Sequence, residues 1–311
     1  MKKEHFILNE KYRPDTLDGY LGEDSFKSKV KEYISKQDIP HLLLVGKAGS
    51  GKTTLAKILV KNIDCDFLYL NATDERSMEV MRDKVKSFAS SASFKPLKIV
   101  ILDEATHILV ASQVLLLNMM ETFSLNTRFI LTGNYVERLI EPLRSRCAEF
   151  KLEPPSKKAV ARHIINILNK EDIEFNIENV AEVINSSYPD LRKTINNIQK
   201  CIKGKELILD QSLTKTNDFV TKIIDELKKP SFSSFTNIRQ IIADNEVGDF
   251  TELYSALYKH ASEYAPNREG SVAIILEEYM YHANFRVDQE INVMACIAKI
   301  LDLINKKQII K

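Results

Sequence analysis

Short apolar runs at 41–45, 66–70, 98–102 and 128–132 alternate with segments whose apolar positions recur at helical spacing, at 52–62, 77–90 and 111–122. Another helical stretch, 24–36, precedes them, and residues 1–22 read as irregular, punctuated by Lys11-Tyr12-Arg13-Pro14. Strands alternating with helices predict parallel βαβ units and an α/β, doubly wound sheet. The run Lys98-Ile99-Val100-Ile101-Leu102 is apolar nearly throughout, as a central parallel strand covered on both faces should be.

The pattern changes at Pro154-Pro155-Ser156. Beyond it no strand is predicted. Amphipathic helices are predicted at 157–170, 178–187 and 190–203, then a turn region near 204–214. Helices follow at 216–229, 231–244, 249–264, 271–284 and 288–305, punctuated by Pro230, Gly248 and Pro266-Asn267. The layout is an α/β domain over 1–153, a small helical domain over 154–212 and a C-terminal helical bundle over 213–311.

At 311 residues, 44% hydrophobic and 28% charged, the chain reads as a soluble globular protein that can bury a substantial core. No apolar run approaches the roughly 20 residues that span a bilayer. The basic start, Met1-Lys2-Lys3, is not followed by a long apolar segment, so no signal peptide is expected. A net charge of +1 means that any nucleic-acid contact must come from a local arrangement of charges. Cys65, Cys147, Cys201 and Cys296 are scattered, which argues against zinc and suits a reducing compartment.

The most informative local feature is Gly46-Lys47-Ala48-Gly49-Ser50-Gly51-Lys52-Thr53, followed by Thr54. It matches the phosphate-binding loop pattern and sits between a predicted strand and a predicted helix, the context the motif requires. Backbone N–H groups of such a loop wrap phosphates, and the helix N-terminus presents its positive dipole end. Lys52 is expected to reach the β/γ-phosphates of ATP, and the Thr53 hydroxyl to join Mg²⁺.

Asp103-Glu104 follows the strand at 98–102, beyond the carboxyl end where ligands of open parallel sheets bind. Asp103 is expected to hold Mg²⁺ directly or through water, and Glu104 to orient or deprotonate the attacking water. Asn134, after the strand at 128–132, can bond water or phosphate, although a turn residue after Gly133 reads equally well. Arg146 offers a guanidinium fork to phosphate. It falls in a late loop, far from its own nucleotide, where a surface salt bridge is the plainer reading.

Taken in order, these residues resemble the clamp-loader ATPase subunits, the replication factor C small-subunit family with its T4-type phage members, within the AAA+ class. The resemblance rests on Lys11-Tyr12-Arg13-Pro14 with Leu17-Asp18, the phosphate loop, Leu70-Asn71-Ala72-Thr73-Asp74, Ile101-Leu102-Asp103-Glu104-Ala105, Asn126-Thr127-Arg128-Phe129 through Asn134-Tyr135, and Ser145-Arg146-Cys147. Pro189-Asp190-Leu191-Arg192-Lys193-Thr194-Ile195-Asn196 adds a block in the second domain. It covers about residues 6–200, and the run from Phe88 to Phe94 is closer to the phage members.

The resemblance implies a AAA+ phosphate-loop fold, a helical lid over 154–212 and a helical collar for oligomerisation over 213–311. It implies that Tyr12 and Arg13 lie along the adenine, that Asn134 and Arg192 sense the γ-phosphate, and that Arg146 is an arginine finger for the neighbouring subunit's site. From the residues alone, Arg192 would be a solvent-exposed helix position. The helix at 77–88 would touch DNA phosphates through Ser77, Met78, Arg82 and Lys86, the last two four apart on one face; a solvated face is the alternative. Ile108, Leu109 and Val110 would dock on the sliding clamp, with burial in the chain's own core equally open.

Leu117-Asn118 stands where the family commonly carries arginine, which puts the usual DNA trigger in doubt. The implied partners are other clamp-loader subunits in a pentamer, a sliding clamp and primer–template DNA, with no membrane. The implied setting is cytoplasm, of a phage-infected bacterium in the favoured reading, or a nucleus in a eukaryote. Alternatives are another AAA+ DNA motor or helicase loader, and a non-hydrolysing structural clamp-loader subunit. The full set Lys52, Thr53, Asp103, Glu104, Asn134 and Arg146 argues against the latter. Asp103-Glu104-Ala105-Thr106 suggests a DEAD-type helicase, but the helical second half argues against that.

Overall fold

The computed structural model describes residues 6–73, 78–209, 211–245, 250–283, 285 and 288–305. The chain separates into two compact units, residues 1–208 and 209–311.

The first unit is built on five parallel strands, β1 (Leu42–Val45), β2 (Cys65–Asn71), β3 (Leu97–Asp103), β4 (Thr127–Gly133) and β5 (Ala148–Lys151), in the order β2-β3-β4-β1-β5. Strand β5 was not expected from the sequence. It is a four-residue edge strand whose positions alternate between half-buried and exposed, too short to stand out as a period. Its Phe150 meets Phe26 edge-on, with ring centroids 5.1 Å apart.

Helices fill the crossovers, as parallel pairing demands. A four-residue α1 (Leu8–Lys11) interrupts the stretch read as irregular; α2 (Asp24–Lys36), α3 (Lys52–Asn62), α4 (Met78–Ser90) and α5 (Val110–Thr122) follow, then the short α6 (Glu141–Arg144). Successive residues of a strand face opposite sides. Leu42 and Leu44 accordingly enter one core with Leu55, Leu59, Ile99 and Ile101, while Leu43 and Val45 enter the other with Val85, Val100, Leu116 and Phe129. This two-sided burial accounts for the uninterrupted apolar runs.

Lys98 is the exception in β3. It is 2% exposed, and its ammonium donates to the carbonyls of Phe88 (2.8 Å), Ala89 (3.2 Å) and Ser91. Phe88 and Ala89 lie in the last turn of α4 and Ser91 follows it, where carbonyls run short of helical partners and a cation suits the helix dipole.

Beyond Pro155 come α7 (Lys157–Lys170), α8 (Ile177–Ser187) and α9 (Leu191–Cys201). Side chains of Ser156, Asn176 and Asp190 cap their N-termini. Gln199 of α9 holds the N-terminal segment, accepting from Leu8 N and donating to Phe6 O, each at 3.0 Å. The expectation of no strand here is corrected by a small hairpin, β6 (Ile202–Lys203) and β7 (Glu206–Leu207), turning on Gly204 at φ +66°. Two-residue strands carry no readable period.

Among the described residues the second unit is all-helical: α10 (Gln211–Lys228), α11 (Ser234–Asp244), α12 (Thr251–Lys259), the short α13 (Ala261–Tyr264), α14 (Glu269–Ala283) and α15 (Gln289–Asn305). Helix α10 begins inside the region read as a turn, and the helix expected over 249–264 breaks at His260. Ile223, Leu227, Leu253, Leu257, Val272, Val293 and Ile297 share one core. Within it the buried Asn292 amide donates to Tyr254 Oη and Tyr279 O, both at 2.9 Å.

Candidate nucleotide site

Strand β1 stops at Val45 and α3 starts at Lys52, so the phosphate loop is the whole connection. Gly51 takes φ +88° as the residue preceding the helix, and Gly49 takes φ +72°, a region that L side chains rarely adopt. A Cβ at Gly49 would lie 2.1 Å from Asp190 Oδ1, so the loop meets the capping residue of α9 with no room to spare. Tyr20 supports the loop from beneath, donating from its phenol to Ser50 O at 3.3 Å.

Lys52 is 6% exposed. Its ammonium donates to Gly46 O (2.9 Å), Lys47 O (3.0 Å) and Asn134 Oδ1 (2.7 Å). Burial draws its pKa down, while the Glu104 and Asp103 carboxylates hold it up and Arg192 lowers it further. The Ser50 hydroxyl is buried in the loop without a hydrogen-bond partner among the described residues. A buried hydroxyl and a cation gripped only by carbonyls and an amide fit an anionic phosphate ligand.

Opposite the loop, the Asp103 carboxylate ends β3. Thr53 Oγ1 donates to it at 2.9 Å, Tyr69 Oη at 2.6 Å, and Thr132 Oγ1 as well. A hydroxyl and a carboxylate are the hard oxygen donors that Mg²⁺ takes beside nucleotide phosphates, so the residues present fit that ion. Glu104 lies in the left-handed region at φ 54°, costly for a non-glycine residue, and its N–H donates to Thr132 Oγ1 at 3.1 Å. Asn134 Nδ2 donates to Glu104 Oε2 at 3.4 Å. Asn134 thus bridges Lys52 and Glu104.

Beside the loop, Tyr12, Arg13, His163 and Arg192 line a hollow with Gly49, Gly51 and Thr54. Tyr12 Oη donates to Glu171 Oε1 at 2.6 Å, and its pKa is pushed up to about 12, first by burial and then by that bond. Arg13 pairs with Glu10 at 2.7 Å. The N-terminal segment, the loop and α9 therefore share one cavity.

Arg146 is not brought to this cavity. Ala148 of β5 is level with Leu42 at the start of β1, whereas the phosphate loop follows Val45 at its end. At about 3.3 Å per residue, Arg146 stands across the sheet from its own loop. It donates to Pro142 O at 3.0 Å and pairs with Glu121 at the end of α5.

Arg82 and Lys86 are exposed on α4, flanking the face that buries Met81 and Val85; Arg82 meets Asp83 at 3.1 Å. Ser77 lies outside the described residues, as does the side chain of Met78. The expectation that Ile108 is presented to a partner is corrected. It is 8% exposed and packs with Leu116 and Met119, while Leu109 and Val110 are 70% and 61% exposed.

Sequence reasoning missed Tyr20, Tyr69, His163 and Gln113. Gln113 donates to Ile108 O and Arg138 O, both at 2.9 Å, and accepts from Ile140 N at 2.8 Å, pinning α5 to the chain after β4. Its sole signal was a polar residue among the apolar positions of α5.

The sequence model of the ATPase family associated with various cellular activities (AAA) matches residues 42–154. The replication factor C small subunit of Natronomonas pharaonis is 39% identical over 259 residues, 81% of this chain and 75% of that protein. That of Aeropyrum pernix is 34% identical, over 92% and 86% of the two chains, and that of Sulfolobus acidocaldarius 30%, over 96% of each. Among solved structures, the Thermotoga maritima RuvB Holliday junction branch migration motor aligns with a TM-score of 0.56 over 84% of this chain and 91% of that one, at 20% identity, a likeness of fold alone. With a AAA+ sheet, a phosphate loop and relatives matched over most of their length, the chain belongs to the replication factor C small-subunit family of AAA+ clamp-loader ATPases.

Proposed function

We propose that this chain is an ATP-hydrolysing subunit of a sliding-clamp loader, which opens a ring clamp and leaves it on primer–template DNA. The observation that carries the reading is the hydrogen-bonded line Lys52–Asn134–Glu104 beside Thr53–Asp103. It joins a phosphate-binding cation, a γ-phosphate sensor and a candidate base for water at the carboxyl ends of adjacent strands.

In this reading Lys52 and the loop N–H groups bind the phosphates, and Glu104 orients the attacking water and takes its proton. Asn134, bonded to both, ties the position of Glu104 to the phosphate end of the site. Mg²⁺, held by Thr53 and Asp103, supplies charge neutralisation on the phosphates. Tyr12 and Arg13 flank the base, and Arg192 reaches the phosphates from the lid over 154–212. Arg146, across the sheet from its own loop, completes the site of a neighbouring subunit, and residues 213–311 form the oligomerising collar. Arg82 and Lys86 meet DNA phosphates, and Leu109 and Val110 meet the clamp.

The test is steady-state ATP hydrolysis by the chain with its companion subunits, with and without clamp and primer–template DNA. Strong stimulation by the two together is the expected result. A basal rate that neither changes would point to another AAA+ motor, and no hydrolysis at all to a structural subunit.

A further inference from the structure

Asp103 is 8% exposed and accepts from hydroxyls on three other elements. Thr53 opens α3, Thr132 lies on β4, and Tyr69 lies on β2. Their targets differ. Thr132 bonds Oδ1, Tyr69 bonds Oδ2 at 2.6 Å, and Thr53 bridges both oxygens at 2.9 Å each. A carboxylate offers about four lone-pair sites. With one fixed on each oxygen from flanking strands, the group cannot turn about its own axis, and the edge facing Thr53 stays presented. The Tyr69 ring is itself held, with the Lys57 ammonium 5.2 Å from its centroid. Lys57 lies on α3, the helix that Lys52 and Thr53 begin, so Tyr69 links that helix to the end of β3.

We propose that Tyr69 is a positioning residue for the magnesium-holding carboxylate of Asp103. It fixes Oδ2 so that Asp103 and Thr53 present a preset pair of oxygens to the ion that accompanies ATP. The proposal rests on the reading that Asp103 and Thr53 hold that ion. Partners of this kind, bonded to a ligand and not to the metal, typically contribute about 10–100-fold to metal affinity. Tyr69 is 37% exposed, so its phenol is not part of the buried core.

The test is Tyr69→Phe, which keeps the ring and removes the hydroxyl. A fluorescent ATP analogue is titrated onto the purified chain over a range of Mg²⁺ concentrations and again in EDTA, with Asp103→Asn alongside. Tyr69→Phe should raise the Mg²⁺ concentration for half-maximal tight binding about tenfold, leaving affinity in EDTA and the thermal midpoint unchanged. If Asp103→Asn shifts the Mg²⁺ dependence and Tyr69→Phe does not, the role of Tyr69 is refuted and the metal reading stands. A fall in the Mg²⁺ requirement of Tyr69→Phe, or equal losses with and without Mg²⁺, would also overturn it. If Asp103→Asn itself leaves the Mg²⁺ dependence untouched, the metal reading fails and takes this proposal with it.

Discussion

The two ends of the parallel sheet are built differently. At the carboxyl ends of β1, β3 and β4, Lys52 and Asp103 are buried and each meets several partners. At the amino ends, Arg146 and Glu121 form an ion pair with side chains 40% and 51% exposed. Buried polar networks hold one geometry, because leaving any member unpaired is costly. An exposed ion pair contributes about 0–1 kcal/mol and is easily exchanged for another. The difference separates a buried network that holds one geometry from a surface ion pair that is easily exchanged; in the proposed reading the first binds phosphate and the second leaves Arg146 free to turn to a neighbouring subunit.

The sharpest test strikes the preset end. Lys52→Ala should abolish ATP-dependent hydrolysis, measured as phosphate release by the assembled complex; a normal rate would end the site assignment. Next is Arg146. Arg146→Ala should cut hydrolysis in the assembly about 10³-fold or more while the chain still binds ATP. Mixing Lys52→Ala chains with Arg146→Ala chains should restore part of the rate, because some interfaces regain both groups. A mixture as dead as either variant would break the claim that Arg146 acts across subunits.

Glu104→Gln keeps the bond from Asn134 but removes the base, and should slow single-turnover hydrolysis about 10²-fold without weakening nucleotide binding. The smallest effect is expected of Glu121→Ala, which should change stability to urea by less than about 1 kcal/mol. A larger loss would mean that the amino end is no looser than the other.

The contrast also explains what could be read in the sequence. The phosphate loop was legible because its chemistry lies within eight contiguous residues, and Asp103-Glu104 because β3 announces itself by its apolar run. Thr132 and Tyr69 were not, because their hydroxyls matter only once β2 and β4 lie on either side of β3. Ile108 was ambiguous for a related reason. In Ile108-Leu109-Val110 the residues are alike in polarity, and only the turn into α5 buries the first and exposes the other two. The breaks at Pro155 and Gly204 were visible as punctuation, yet β5 and the hairpin β6–β7 are held by neighbours and carry no local period of their own.

The buried ammonium of Lys98 has a mechanical consequence. A helix ordinarily frays from both ends. Helix α4 has its last carbonyls fastened to β3, so its amides should exchange with solvent from the amino end first. The fastening point lies five residues before Asp103 on one continuous strand. The carboxyl end of α4 and the strand that ends in Asp103 are therefore anchored to each other at a single buried ammonium.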